Sequence, residues 1–179
     1  MSKSALAITE EHTALADSAF GQLSRLNSRS AARATLEDGA SHPPDVWSAV
    51  TGNGWTGLAI AEEHGGSGFG LAELAVVLEA QGHELCPGPF LPSVAAAVVI
   101  DRCAPDSVRA QLLPGLADGS AVGALAASGN VAVGADLALT GECRAVLGAP
   151  DADVLVIVAG EDVVVVDASA DGVSVTALE

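Results

Sequence analysis

Residues 54–90 read GWTGLAIAEEHGGSGFGLAELAVVLEAQGHELCPGPF, and the fold turns on how this stretch divides. A short apolar run, Gly57-Leu58-Ala59-Ile60, meets the acidic pair Glu62-Glu63. A glycine-dense loop, His64-Gly65-Gly66-Ser67-Gly68-Phe69-Gly70, leads into an apolar helix expected from Leu71 to Leu85 and halted by Cys86-Pro87-Gly88-Pro89. Glycine so concentrated marks positive φ or backbone packed against backbone. Glycines before a helix can also cradle a phosphate. Neither GxGxxG nor GxxxxGK[ST] is met, however, and Glu62 and Glu63 stand beside the loop, so a structural turn is expected.

On the helix, Leu71, Leu74, Ala75, Leu78 and Leu85 share one face, while Val76, Val77 and Ala80 extend the apolar surface most of the way round. Such a helix is buried by neighbours on several sides. Glu73, Glu79 and Glu84 occupy the remainder, where solvated or capping roles outweigh an acid/base pair.

Upstream, Ile8, Leu15, Ala19, Leu23 and Leu26 recur at helical steps, predicting an amphipathic helix over residues 5–26 with acid at its positive end. The pattern lapses over residues 27–44, closed by Ser41-His42-Pro43-Pro44 as a connector. A short helix follows from Pro44, carrying Val46, Trp47 and Val50 and ended at Gly52-Asn53-Gly54. Trp47 reads as a core or subdomain contact ahead of a ligand platform.

Downstream, residues 93–102 predict a helix rich in small side chains, which allow close approach or leave a groove for an extended ligand. Another is expected from Asp106 to Leu116, with Asp106 or Ser107 as N-cap. Arg102 and Arg109 read as solvated positions before phosphate contacts. Beyond Gly119 the pattern changes to short Val-rich runs at residues 122–127, 131–139, 154–159, 163–166 and 173–178, separated by turn residues. The fold class is therefore α+β, an all-α N-terminal domain followed by a mostly antiparallel β-domain. The domains are expected at residues 1–118 and 119–179, with the sheet incomplete where the sequence stops at Glu179.

Composition narrows the function. Half the 179 residues are hydrophobic, with no Tyr and three Phe, so the core is Ala, Val and Leu. The formal charge of −16 argues against nucleic acid and disfavours an anionic membrane surface. No apolar run approaches the ~20 residues that span a bilayer, and no secretion signal opens the chain, so the cytoplasm is expected. Cys86, Cys103 and Cys143 are odd in number and lack CxxC spacing; they read as free thiols. His12, His42, His64 and His83 show no metal-ligand spacing, so no metal is expected.

Trp47, Gly54-Trp55-Thr56-Gly57-Leu58, Glu62-Glu63-His64-Gly65-Gly66-Ser67-Gly68, Leu71 and Glu79 together resemble the N-terminal helical domain of FAD-dependent acyl-CoA dehydrogenases. The resemblance continues through Pro89-Phe90-Leu91 and Leu112-Leu113-Pro114-Gly115-Leu116-Ala117-Asp118-Gly119, with Ala61 where the family usually has proline. It implies a helical domain and part of a β middle domain, with a four-helix bundle elsewhere. It implies FAD in the complete assembly and an acyl-CoA substrate oxidised to a trans-2-enoyl-CoA. The base lies in the bundle in most of the family, so no catalytic residue is assigned here. The acyl tunnel of the family maps to Phe90, Ser93, Val94 and Ala97.

The family's middle domain opens with a strand and a Thr-Glu-Pro turn, then Gly-Ser-Asp, in contact with flavin and substrate. Here Ser128-Gly129-Asn130 follows the strand. Ser128 replaces the threonine hydroxyl and is the cofactor-binding candidate; the glutamate position is Gly129, and no Gly-Ser-Asp follows. Such degeneracy resembles one half of the fused or two-subunit acyl-CoA dehydrogenases of actinobacteria, associated with steroid side-chain β-oxidation. The implied partners are the remaining dehydrogenase domains or a second dehydrogenase subunit, in a homo- or hetero-oligomer. Two alternatives stand beside an enzyme part: a non-catalytic unit supporting a flavin site elsewhere, and an acyl-binding module without redox chemistry.

Overall fold

A computed structural model describes residues 4–38 and 42–177. Helices α1 (Glu10–Arg25), α2 (Ser28–Asp38), α3 (Pro44–Gly52), α4 (Leu71–His83), α5 (Phe90–Cys103) and α6 (Asp106–Asp118) precede strands β1 (Gly123–Ala126), β2 (Ala132–Val133), β3 (Leu139–Thr140), β4 (Val154–Ala159) and β5 (Asp162–Asp167). Single 3-10 turns lie at Glu62–His64 and Ala149–Asp151. The α+β class holds.

The first helix is shorter than its periodicity suggested, because Thr9 caps it: its hydroxyl accepts from the His12 N–H at 3.0 Å. The lapse over residues 27–44 conceals α2. That helix is polar and docks by a narrow strip, Ser28 and Ala31, with Ser28 Oγ donating to Glu84 O at 2.8 Å. A strip this narrow leaves little hydrophobic periodicity to read. Ser41, placed in the connector, lies outside the described residues. At α6 neither Asp106 nor Ser107 is the cap: Pro105 holds the N-cap position, and Asp106 enters the helix to pair with Arg109.

Two core clusters share α5. One gathers Leu23 and Phe20 of α1, Val46 and Val50 of α3, Trp55, Leu74 and Val77 of α4, and Phe90 and Val94 of α5. The other joins Ile60, Ala97, Ile100, Leu113 and Leu116 to Val154 and Val156 of the sheet. Fully burying a Leu or Ile of this kind stabilises by about 1.5–3 kcal/mol.

The sheet runs β1-β4-β5, with β1 and β4 parallel and β4 and β5 antiparallel; β2 and β3 form a separate antiparallel hairpin. The parallel pair departs from the reading by short connections, because the β2–β3 hairpin and a 3-10 turn lie between its strands. The single strand expected over 131–139 is broken at Gly134, where the Gly134 N–H bonds Ala138 O at 2.8 Å and closes a turn. No strand forms over residues 173–177, which find no partner strand; Leu178 lies outside the described residues.

Two glutamates of α4 and Glu84 at its C-cap hold other segments onto it. Glu73 Oε1 lies 3.0 Å from His12 Nε2 of α1, and its Oε2 accepts from the Gly70 N–H at 2.9 Å. Glu79 accepts from Ser4 Oγ and from the Ala5 N–H. Glu84 meets Arg29 of α2 at 3.1 Å. The His12 hydrogen bond foremost, then its own and the Gly70 backbone N–H, holds the Glu73 carboxyl below its ordinary value of 4.5. A carboxylate so depressed stabilises the fold above that value, and the contribution is lost as pH falls through the lower folded one. Glu73→Gln is therefore expected to destabilise at pH 7 and converge on the parent protein in acid. Urea midpoints between pH 7 and pH 2.5 check this.

Candidate functional site

The glycine loop folds back on its own approach. Ser67 N–H donates to Gly57 O at 2.9 Å, Gly68 N–H to Ile60 O at 2.9 Å, and Phe69 N–H to Leu58 O at 3.0 Å. Its donors are thus turned inward onto carbonyls, and Glu73 sits at the α4 N-terminus where an anion would lie. The loop is a structural turn. Its inner side carries α6: Thr56 Oγ1 donates to Ala117 O at 2.7 Å, and a Cβ on Gly57 would meet that oxygen at 3.1 Å.

Trp47 acts at the same junction. Its Nε1 donates to Gly119 O at 3.2 Å, and its ring stands edge-on to His42. His42 Nδ1 in turn lies 3.7 Å from Asp151 Oδ1, just before β4. The tryptophan thus joins the helices to the start of the sheet.

Phe90, Ser93, Val94 and Ala97 come together on the inner side of α5, each at most 3% exposed. Phe90 and Val94 belong to the first core and Ala97 to the second. Ser93 Oγ accepts from the Gly123 N–H at 3.2 Å, which pins the start of β1 to α5. A Cβ on Gly123 would lie 2.7 Å from Ala96, so helix and strand approach closely. A recess of about 790 Å³ lies elsewhere, between Val108 and Leu112 of α6 and Val154 and Val165 of the sheet.

Ser128 lies just past β1, in a clamp with residues 142–144. Its hydroxyl donates to Arg144 O at 2.7 Å. Asn130 N–H donates to Glu142 O at 3.0 Å, and Asn130 Oδ1 accepts from the Glu142 N–H at 3.1 Å. Gly129 bridges to Cys143 between them. Its φ is +150°, and a Cβ there would fall 2.3 Å from Glu142 O. A side chain at 129 would therefore require the clamp backbone to shift.

Three of the arginines are committed as well. Arg109 binds Asp106 and Asp101 O, Arg144 binds Glu142, and Arg29 binds Glu84. Arg102 is exposed on α5, away from the clamp in sequence. The cation of the clamp, Arg144, is thus paired with Glu142, and the Ser128 hydroxyl already donates within the chain. The Ser128 hydroxyl and the Arg144 guanidinium are therefore engaged within the chain rather than directed at a ligand.

Burial pushes the Cys86 thiol up to about 11, whereas Cys103 is exposed. At pH 8 a disulfide reagent is expected to label Cys103 promptly and to spare Cys86 until the chain is unfolded; mass spectrometry of labelled peptides checks this. Among the described residues no group of His, Cys, Asp and Glu is placed to hold a metal, and no helix is long and apolar enough to cross a membrane.

The model of the acyl-CoA dehydrogenase N-terminal domain matches residues 9–120, and the chain belongs to the acyl-CoA dehydrogenase family. It is 30% identical over 132 residues to acyl-CoA dehydrogenase IpdE2 of Mycolicibacterium smegmatis, covering 73% of this chain and 41% of that protein. Among solved structures it is similar to the ChsE4-ChsE5 complex from Mycobacterium tuberculosis, with TM-score 0.84, 25% identity, and coverage of 98% and 52% of the two chains. It is also similar to the G363A variant of the Tcur3481-Tcur3483 steroid ACAD, with TM-score 0.78, 29% identity, and coverage of 91% and 49%. The chain thus spans about two-fifths of the length of the curated relative and half of the solved chains.

Proposed function

We propose that this chain forms the helical and opening β portion of an FAD-dependent acyl-CoA dehydrogenase, divided at residues 1–118 and 119–179. The complete assembly would oxidise the Cα–Cβ bond of an acyl-CoA thioester to a trans-2-enoyl-CoA in the cytoplasm. The match across residues 9–120 carries this reading. When bound, the flavin accepts the hydride leaving the β-carbon. This chain's residues keep the neighbourhood dry and rigid. Phe90, Val94 and Ala97 would back the wall of the acyl site, and Ser93 fixes β1 against it. Ser128 would reach the cofactor only as a hydrogen-bond acceptor, since its proton is donated to Arg144 O. A steroid side chain is the favoured acyl group, by likeness to the steroid ACAD.

One observation favours a second reading, a non-catalytic unit that supports a flavin site on a partner. In the clamp at 128–130 and 142–144 a glutamate at 129 would require the backbone to shift, and Arg144 is paired with Glu142. Flavin absorbance at 450 nm, in the complete protein purified with and without a co-expressed dehydrogenase subunit, separates the two. Colour in the protein alone supports the first; colour only in the pair supports the second. Colour in neither, with no enoyl-CoA formed from acyl-CoA or steroid-CoA, overturns both.

A further inference from the structure

The end of α3 carries the dipeptide Asn53-Gly54, placed just before the buried Trp55. Asparagine before glycine is the pairing most open to deamidation, because no side chain shields the glycine nitrogen. That nitrogen, once deprotonated, attacks Asn53 Cγ. A Cγ–N bond forms, the Cγ–Nδ2 bond breaks, ammonia leaves, and a five-membered succinimide remains. Water then opens the ring on either side of the nitrogen. Opening at Cγ gives aspartate. Opening at the main-chain carbonyl carbon gives isoaspartate, in which the backbone runs through Cβ and Cγ.

The fold opposes each part of the first step. Gly54 N–H donates to Thr51 O at 2.8 Å, so the attacking nitrogen is held by a hydrogen bond. Asn53 Nδ2 donates to Ala49 O at 2.6 Å, which turns the side-chain amide back along α3. Ring closure needs the Gly54 nitrogen eclipsed with Cβ about the Cα–C bond. The ψ of −1° at Asn53 eclipses it with Asn53's own nitrogen instead. Reaction therefore waits on local opening of the last turn of α3.

Once formed, isoaspartate cannot fit the closed turn. Val50 and Trp55 both belong to the first core, at 1% and 4% exposed. Thr56 Oγ1 is bonded to Ala117 O just beyond. Isoaspartate puts an extra backbone carbon between these fixed points. Its carboxylate also stands at the negative end of α3 and has no hydrogen to give Ala49 O.

We propose that Asn53 is a fold-gated deamidation site: the closed last turn of α3 protects it, and one passage through isoaspartate keeps that turn from closing again. This inference is independent of the acyl-CoA and flavin reading.

The test follows isoaspartate at residue 53 in the full chain at pH 8, by peptide mapping with mass spectrometry. The blocked pentapeptide Thr-Gly-Asn-Gly-Trp gives the unprotected rate. The folded chain should react about tenfold more slowly than the peptide, since two hydrogen bonds open first, and urea should restore the peptide's rate. Chains carrying isoaspartate, returned to buffer, should lose hydrogen-exchange protection at the Gly54 and Leu58 amides, which bond to Thr51 O and Trp55 O. Asn53→Asp should keep that protection, because its backbone is not lengthened. A folded chain that reacts as fast as the peptide, a chain in urea that does not react at 53, or an isoaspartate chain with the parent's protection would each overturn the proposal. An Asn53→Asp chain that loses the same protection would overturn it too, because charge rather than length would then be the cause.

Discussion

Gly66→Ala is expected to lose roughly 3–5 kcal/mol of stability, a magnitude reached only by defects that the core cannot absorb. A Cβ at this position would lie 2.1 Å from Ile60 O and 2.6 Å from Gly57 O. Both oxygens accept loop hydrogen bonds, from Gly68 and Ser67 respectively. Making room for one methyl group therefore pulls the loop off residues 57–60. Ile60 belongs to the second core, and Gly57 carries the contact with α6, so the damage spreads to both sides. Gly65 provides the internal comparison. Its φ is +83° and its Cβ direction is open, so Gly65→Ala should lose only the left-handed backbone penalty of about 1–2 kcal/mol. Urea unfolding of the two variants side by side checks both magnitudes; equal losses would mean that space at 66 is not limiting.

Gly129→Glu, which puts back the family's glutamate, is expected to open the clamp without creating a flavin site. The new Cβ would strike Glu142 O at 2.3 Å and Cys143 Cα at 2.8 Å. The Asn130 and Arg144 amides, which bond to Glu142 O and Ser128 O, should then exchange on the order of 100-fold faster. That corresponds to losing two or three hydrogen bonds of about 1 kcal/mol each. Gly129→Ala should do nearly the same, because the collision lies at Cβ and owes nothing to charge. Native-state hydrogen exchange by NMR measures this directly. Unchanged exchange in both variants would show the clamp to be looser than its geometry.

The departures from the sequence reading share a cause. α2 escaped notice because it is held by Ser28 and by Arg29 on Glu84, contacts that leave no apolar period. The glutamates of this segment read as solvated or capping residues; Glu73 does cap α4, and Glu73, Glu79 and Glu84 also reach segments more than fifty positions away in sequence. Nothing local in LAELAVVLEAQGHEL distinguishes a tether from a solubilising charge. Trp47, by contrast, was legible as a core or subdomain contact, and its indole donates to Gly119 O just past α6.

Local chemistry was enough for the α+β class, for the turn at residues 64–70, and for the family. Periodicity, glycine placement and a compact motif act over a few residues and need no partner. Strand direction, the burial of Ser93 and the closing of Ser128-Gly129-Asn130 required the folded chain. Each depends on which distant backbone arrives alongside. Gly129 shows the division most clearly: its sequence neighbours give no reason for glycine, and in space its Cα packs where a Cβ would meet Glu142 O at 2.3 Å.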